Sequence, residues 1–305
     1  MITDMKHGVF VPEINDTYYI TPDILSLFKR VAKGSESKTQ KILLRGPHGA
    51  GKTEMAMQFA ARAKKPMIIM DCANLKEPRD WFGYKTIEGG EVVWHESQFD
   101  KVLSAGNHVV LLDEANRVHP SIMNTLIPIL DGRGFTYLEE KGGCITVGKG
   151  TVFFSTMNEG AAYTGTSAID IAMRDRLGSR IVEVTYLPKD KEVDILICRT
   201  GIAEKAAKAL VDIANQIRKK SSGIGSSFSD GFSTRQLLAC AEDFVIDGVD
   251  SLTFTMTNLF SAEGGTNSER AAVLQLIQGK FGVVESVDKT ADKMAAAARR
   301  IKGAA

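Results

Sequence analysis

Short apolar segments recur along the first 187 residues, and segments with helical spacing of apolar residues lie between most of them. Such short continuous runs are typical of buried strands. Five strands are predicted in this way, at residues 41–45, 66–71, 107–115, 151–158 and 179–187. Because strands alternate with helices, we predict an α/β fold with a parallel sheet covered by helices on both faces.

Two further segments interrupt this alternation and have the pattern of hairpins. Residues 83–96 have strand-like halves on either side of Glu-Gly-Gly, and residues 134–148 have the same arrangement around Lys-Gly-Gly. Paired glycines permit the backbone angles of a tight turn. We therefore predict two β-hairpins inserted in the α/β core.

The pattern changes after Pro188, where several segments with helical periodicity follow one another. A stretch rich in serine and glycine, residues 221–233, is typical of a flexible linker between two of them. We predict an α/β domain with an irregular N-terminal segment over 1–187 and a helical domain over 188–283. A tail rich in Ala, Lys and Arg follows over 284–305.

Composition argues against several classes of function. The 305 residues are 44% hydrophobic, and a net charge of +1 gives no overall basic field for nucleic acid or anionic membranes. The four cysteines lack C-x-x-C spacing, and the five histidines lack the spacing of a metal site. The chain begins without a signal-peptide pattern, and no apolar run approaches the length of a membrane span. We expect a cytoplasmic protein without membrane contact.

The segment GPHGAGKT at residues 46–53 matches the phosphate-binding loop pattern G-x-x-x-x-G-K-[ST]. It follows a predicted strand and opens a predicted helix, as the motif requires. The amides of such a loop and the following helix N-terminus form an anion site, which Lys52 would complete at the outer phosphates while Thr53 binds Mg²⁺. The predicted nucleotide-binding residues are Gly46, Pro47, His48, Gly49, Ala50, Gly51, Lys52 and Thr53.

Two later strands end in polar residues that suit ATP hydrolysis. The run VVLLDE places Asp113 and Glu114 at a strand end. An aspartate there holds the Mg²⁺ shell, and the following glutamate polarises the attacking water as general base. The run TVFFSTMN places Asn158 at the end of the next strand, where its amide can orient that water. We therefore predict ATP and Mg²⁺ as ligands, with Thr53 and Asp113 as the metal ligands.

Arginines near the fifth strand and in the helical region are candidates for contacting phosphate. The run AMRDRLGSR contains Arg174 and Arg176, and FSTRQLL places Arg235 at the start of a helix. An arginine from the same chain or from a neighbour neutralises the charge of a transferring phosphate. A surface ion pair is the alternative for any single arginine. We favour a catalytic role for Arg176 and Arg235 and a surface role for Arg174.

The order of these motifs resembles an AAA+ ATPase, and the two hairpins with DEANRVHP (113–120) resemble its MoxR and dynein-related branch. Within that branch the chain is similar to the small ATPase subunit of aerobic cobaltochelatase, a CobS-like protein. The stretches that carry this similarity are VPEI (11–14), PHGAGKT (47–53), YTGTSAIDIAMRDR (163–176), YLPKDKEVDI (186–195), FSTRQLLACAED (232–243) and the segment from SLTFTMTNLF to FG (251–282).

The resemblance implies a role for each candidate residue and a set of partners. It implies an AAA+ core followed by a helical lid, with Walker A residues Lys52 and Thr53, Walker B residues Asp113 and Glu114, sensor 1 at Asn158, an arginine finger at Arg176 and sensor 2 at Arg235. A finger is useful only on a neighbour's ATP, so a ring, expected to be a hexamer, is implied. The family also implies a partner with a von Willebrand-type domain and a large chelatase-type subunit.

Aromatic residues accompany the first hairpin and admit two interpretations. Trp81 and Phe82 lead into it, and Tyr84 and Trp94 lie on its two arms. Exposed aromatic residues on such hairpins grip a threaded or remodelled partner, whereas core packing is the commoner fate of tryptophan. Core packing is favoured, and the contact with a partner stays open.

Three hypotheses of function remain. The first, which we favour, is a chelatase-type or MoxR-like ATPase that remodels a partner protein. The second is a motor directed at nucleic acid, as in restriction or phage replication, which a basic ring pore would support. The third is a nucleotide-gated scaffold with little turnover, and the presence of Glu114 and Arg176 argues against it.

Overall fold

The computed structural model describes two compact units. The described residues are 3–6, 8–158, 171–178, 180–221, 228–229, 231–265 and 268–282. The α/β unit consists of the chain up to Asn15 together with Asp23–Pro47 and Gly51–Val184. The helical unit consists of Asp16–Pro22, His48–Ala50 and the chain from Thr185 onward. The domain limits predicted at 187 and 283 stay predictions, and the predicted tail lies outside the described residues.

Eleven strands occur in the described part of the α/β unit. They are β1 (Thr3–Lys6), β2 (Val9–Val11), β3 (Gln40–Gly46), β4 (Met67–Asp71), β5 (Gly83–Glu88), β6 (Glu91–Glu96), β7 (Val109–Asp113), β8 (Phe135–Leu138), β9 (Gly143–Thr146), β10 (Val152–Asn158) and β11 (Arg180–Glu183). Seven of them form one sheet in the order β1-β2-β4-β7-β10-β3-β11. The strands from β4 to β11 in that order pair in parallel, which confirms the predicted sheet.

The sheet is wider than the five strands that the sequence predicts. Strands β1 and β2 pair antiparallel with each other, and β2 pairs antiparallel with β4. The prediction of an irregular N-terminal segment is therefore wrong for these two strands, while residues 12–21 contain neither helix nor strand. These strands are only four and three residues long, too short to display a clear alternation of apolar and polar positions. Their pairing covers the edge of β4.

Helices cover both faces of the sheet. The helices of the α/β unit are α1 (Pro22–Ser35), α2 (Lys52–Ala63), α3 (Arg79–Phe82), α4 (Gln98–Ala105), α5 (Pro120–Asn124), α6 (Ile127–Leu130) and α7 (Ile171–Leu177). Phe154 of β10 packs against Phe28 of α1 and Phe59 of α2. The preceding residue, Phe153, points to the opposite face and joins a cluster that includes Phe99 of α4. A strand buried on both faces reads as a continuous apolar run, which is why β10 was predictable.

Both predicted hairpins are present, β5 with β6 and β8 with β9. Trp81 and Phe82, which precede the first hairpin, are buried next to Phe99. The interpretation of these two residues as core residues is therefore confirmed. Tyr84, on the hairpin itself, is 53% exposed and stacks on His95. The structure therefore separates the four aromatic residues that the sequence groups together.

The helical unit has its own core, formed by five helices in its described part. These are α8 (Lys189–Thr200), α9 (Glu204–Ser221), α10 (Thr234–Asp247), α11 (Val249–Asn258) and α12 (Glu269–Phe281). The buried carboxylate of Glu192 accepts two hydrogen bonds from Arg218, at 2.7 and 2.8 Å, and one from Thr234 at 2.7 Å. No helix in the described residues combines the length and apolarity needed to cross a membrane.

Candidate functional site

The loop after β3 has a backbone that only glycine accommodates at its first and last bends. Gly46 has a φ of 149°, and a Cβ atom there would lie 2.0 Å from the carbonyl oxygen of Val184. Gly51 has a φ of 90° and precedes the first turn of α2. Helix α2 begins at Lys52 without a side-chain cap, so its first amides stay available for an anion. The two glycines thus fold the loop around a potential phosphate site.

Lys52 lies inside this loop rather than in solvent. Its Nζ atom donates hydrogen bonds to the carbonyl oxygens of Gly46 at 2.9 Å and Pro47 at 2.7 Å, and the residue is only 7% exposed. Burial lowers the pKa of Lys52 to about 8, while the carboxylates of Asp113 and Glu114 act in the opposite direction. A lysine held in this way is placed to exchange its carbonyl partners for phosphate oxygens.

Two oxygen ligands suited to Mg²⁺ meet where helix α2 begins and strand β7 ends. The hydroxyl of Thr53 lies 3.2 and 3.0 Å from the two carboxylate oxygens of Asp113. Asp113 also accepts a hydrogen bond from the hydroxyl of Thr156. Mg²⁺ prefers one or two protein oxygens together with substrate phosphates and waters. The hydroxyl and carboxylate therefore fit this ion.

Glu114 and Asn158 meet beside the Asp113 carboxylate. The amide nitrogen of Asn158 donates to Glu114 Oε1 at 3.1 Å. The backbone amide of Glu114 donates to the hydroxyl of Thr156 at 2.8 Å, which fixes the end of β7 against β10. Four of the predicted site residues, Thr53, Asp113, Glu114 and Asn158, are thus brought together at the ends of neighbouring strands and in the first turn of α2. Their roles in metal binding and catalysis stay predictions.

Comparison with known families decides what this arrangement belongs to. Residues 41–177 match the model of the AAA domain, dynein-related subfamily, and residues 192–280 match the CbbQ/NirQ/NorQ C-terminal model. The first match contains the loop, Asp113, Glu114 and Asn158, which are the groups that meet in the structure. The chain belongs to the dynein-related AAA+ ATPases. It is an ATPase of the MoxR-like group.

Relatives support the same family assignment. The chain is 29% identical over 275 residues to "Putative chaperone BssE" of Thauera aromatica, which covers 86% of this chain and 95% of the relative. It is 26% identical over 200 residues to "Protein NorQ" of Paracoccus denitrificans, over 66% of this chain and 72% of that protein. It is also 26% identical to "Midasin" of Dictyostelium discoideum, over 72% of this chain and 4% of midasin.

The candidate arginines of this AAA+ ATPase lie on helices α7 and α10. Arg174 and Arg176 lie on α7 and are half-buried, and the charge of Arg176 acts on Lys41 and Asp131. Within the described part of the chain, neither arginine forms an ion pair with Asp113 or Glu114. Arg235 is exposed on the first turn of α10 in the helical unit. Their catalytic roles stay predictions.

Two residues at the site are not identified from the sequence, Thr156 and Arg117. Thr156 is one of three polar residues of strand β10, with Ser155 and Asn158, and all of that strand is buried. A buried hydroxyl requires a hydrogen-bond partner, so its position in the strand was a usable indication. Arg117 forms an ion pair with Glu114 at 2.9 Å. No pattern indicates that contact, because it depends on the backbone angle of Glu114.

Proposed function

We propose that this chain assembles into a ring and uses hydrolysis of Mg-ATP to change the conformation of a partner protein. One observation carries the catalytic part of the proposal: a continuous set of hydrogen bonds joins the nucleotide loop to the base and its amide partner. Its members are Thr53, Asp113, Thr156, Glu114 and Asn158.

The P-loop residues bind the nucleotide in this proposal. The backbone N–H groups of the loop, to which Pro47 contributes none, surround the phosphates. Lys52 leaves its two carbonyl partners for the outer phosphate oxygens. Thr53 and Asp113 would hold Mg²⁺, which would supply positive charge to neutralise the phosphates. These oxygens are already adjacent, so little rearrangement of the side chains is required.

Glu114 is the general base, and Asn158 orients it together with the attacking water. Both side chains lie at the carboxyl ends of neighbouring parallel strands, where ligands of α/β sheets bind. Glu114 accepts a proton from the water as the water oxygen bonds to the terminal phosphorus and the bond from that phosphorus to the oxygen of the departing ADP breaks. Asn158 fixes the orientation of the carboxylate through its hydrogen bond to Oε1.

Arginines complete the phosphate site. We assign Arg176 to the ATP of a neighbouring subunit and Arg235 to the ATP of its own chain. The charge of Arg176 acts on Lys41 and Asp131 within its own chain, which is consistent with action on a neighbour's ATP. This requires a ring, which we propose to be a hexamer, since a heterologous contact that closes forms a ring.

The partner is proposed from resemblance and from the relatives. One relative is named as a putative chaperone, and the C-terminal model is shared with CbbQ, NirQ and NorQ proteins. We propose that this chain acts in the cytoplasm on a partner protein with a von Willebrand-type domain, together with a large subunit of the chelatase type, as the resemblance to CobS-like proteins implies. The conformational work would come from changes in the ring on hydrolysis.

The replacement Glu114→Gln tests the catalytic proposal. Glutamine keeps the size and the hydrogen bond from Asn158 but cannot accept the proton, so turnover should fall by roughly 10²-fold or more while ATP binding persists. Steady-state ATPase assays and equilibrium binding of a fluorescent nucleotide measure the two properties. Glu242→Gln, an exposed glutamate of α10, is the matched control. A near-native rate for Glu114→Gln removes Glu114 as the base.

The same variant tests the proposed identity of the partner. Held in Mg-ATP, Glu114→Gln should retain bound partners, which mass spectrometry identifies after capture from the native lysate. Recovery of a von Willebrand-domain protein supports the remodelling proposal. Recovery of DNA or a nuclease favours a motor acting on nucleic acid, and capture of no partner by a variant that binds ATP favours a nucleotide-gated scaffold.

A further inference from the structure

The turn after β7 brings a positively charged side chain into contact with the carboxylate of Glu114. The Nε atom of Arg117 lies 2.9 Å from Glu114 Oε2. The backbone doubles back here, because the amide of Arg117 donates to the carbonyl oxygen of Glu114 at 2.8 Å. The left-handed backbone of Glu114, with a φ of 53°, makes this tight turn possible. The ion pair is therefore built into the turn itself.

Neighbouring residues anchor this turn to β10. Ala115 is buried, and its amide donates to the carbonyl oxygen of Thr156 at 2.9 Å. Asn116 is also buried, and its side-chain nitrogen donates to the carbonyl oxygen of Asn158 at 3.0 Å. With both intervening residues fixed, Arg117 has a limited range of positions near Glu114.

Both oxygens of the Glu114 carboxylate are engaged in this arrangement. Asn158 donates to Oε1 at 3.1 Å, and Arg117 contacts Oε2. A general base must direct one oxygen toward the water whose proton it accepts. An arginine that holds an oxygen through a charge-assisted contact therefore competes with that water.

We propose that Arg117 is a positioning residue that restrains Glu114 and slows ATP hydrolysis until the pair separates. This inference rests on the proposed role of Glu114 as base. The pair is accessible, with Arg117 40% and Glu114 26% exposed at their side chains. Because the guanidinium of Arg117 is partly exposed, an arriving anionic group can contact it and draw it away from Glu114.

The replacement Arg117→Met removes the charge and keeps a side chain of similar length. We expect kcat for ATP to rise several-fold with KM unchanged, because Arg117 contacts the base. Arg117→Lys keeps a charge but lacks the oriented Nε atom, so its kcat should lie between those of the methionine variant and the native chain. Arg79→Met, which breaks the exposed pair with Glu77, is the control and should leave kcat unchanged.

The outcomes distinguish this inference from the proposed role of Glu114. If kcat of Arg117→Met is unchanged or lower while Glu114→Gln abolishes turnover, the restraint is wrong and the base assignment stands. If Glu114→Gln turns over at the native rate, the base assignment itself is wrong. Should the methionine variant fail to fold by circular dichroism, Arg117→Gln replaces it, and a higher kcat is again the result that supports the restraint.

Discussion

Glu114 combines catalytic chemistry with an uncommon backbone. Its φ of 53° lies in the left-handed region, which costs a non-glycine residue on the order of 1 kcal/mol. The hydroxyl of Thr156 accepts the Glu114 amide at 2.8 Å and offsets part of that cost. A glycine there would adopt the same turn without strain but would lack the carboxylate. The strain is therefore tolerated where the side chain has a task that glycine cannot perform.

Lys52 gives a prediction about pH at the same scale. Burial lowers its pKa to about 8, so the ammonium loses its proton in the nucleotide-free protein as the pH rises through 8. Bound phosphates favour the charged form, so ATP binding should be accompanied by proton uptake at pH 8 to 9. Affinity should then fall by up to about tenfold per pH unit above 8.

Titration calorimetry at several pH values, in buffers with different ionisation enthalpies, measures this uptake and the affinity together. Lys52→Arg is the control, because an arginine stays charged throughout this range, and whatever affinity it retains should not follow the same pH dependence. A native affinity that is constant between pH 7 and 9.5 would contradict the prediction.

The elements of the α/β unit differ in how far the sequence predicts them. Strands such as β10 were predictable because burial on both faces produces continuous apolar runs. The short strands β1 and β2 carry too few residues for a pattern, and they were missed. Asp113 and Asn158 are polar residues at the ends of two strands, and they indicated the site. The contact of Arg117 with Glu114 did not follow from any periodicity. That contact depends on one backbone angle, which the sequence does not encode locally.

Lys141 connects elements that are distant along the chain. It lies in the turn between β8 and β9, and its Nζ atom is 2.7 Å from Asp100 of α4 and 2.8 Å from Glu96 at the end of β6. The Asp100 side chain is only 1% exposed. One lysine thus fixes the second hairpin to the base of the first.

Removal of this lysine should destabilise the α/β unit. Lys141→Met leaves the buried Asp100 carboxylate without its cation, and we expect a loss of about 2 kcal/mol with a lower melting temperature. Adding Asp100→Asn should recover part of that loss, because the unpaired charge is then removed. Lys101→Met, an exposed lysine of α4, is the control for differential scanning calorimetry. Equal melting temperatures for the two lysine variants would show that the contact does not stabilise the fold.

At the scale of the whole molecule, the two arginine assignments predict different behaviour in mixed assemblies. Lys52→Ala lacks nucleotide binding but keeps Arg176, whereas Arg176→Ala keeps the nucleotide loop but lacks the finger. Each alone should be inactive. If Arg176 acts on a neighbour, an equal mixture should regain up to roughly a quarter of native turnover, since half of the sites keep Lys52 and half of their neighbours keep the finger.

The mixture of Lys52→Ala with Arg235→Ala is the matched control for this experiment. If Arg235 acts within its own chain, every subunit that binds ATP in this mixture lacks Arg235, so no turnover should return. Energy transfer between labelled subunits confirms that the variants mix in one assembly. Turnover in the mixture that contains Arg235→Ala would show that Arg235 acts on a neighbour's ATP. Absence of turnover in the mixture that contains Arg176→Ala would show that Arg176 is not the finger. A catalytic unit shared between chains is what makes a ring necessary, because a single chain cannot supply Arg176 to its own ATP under this assignment.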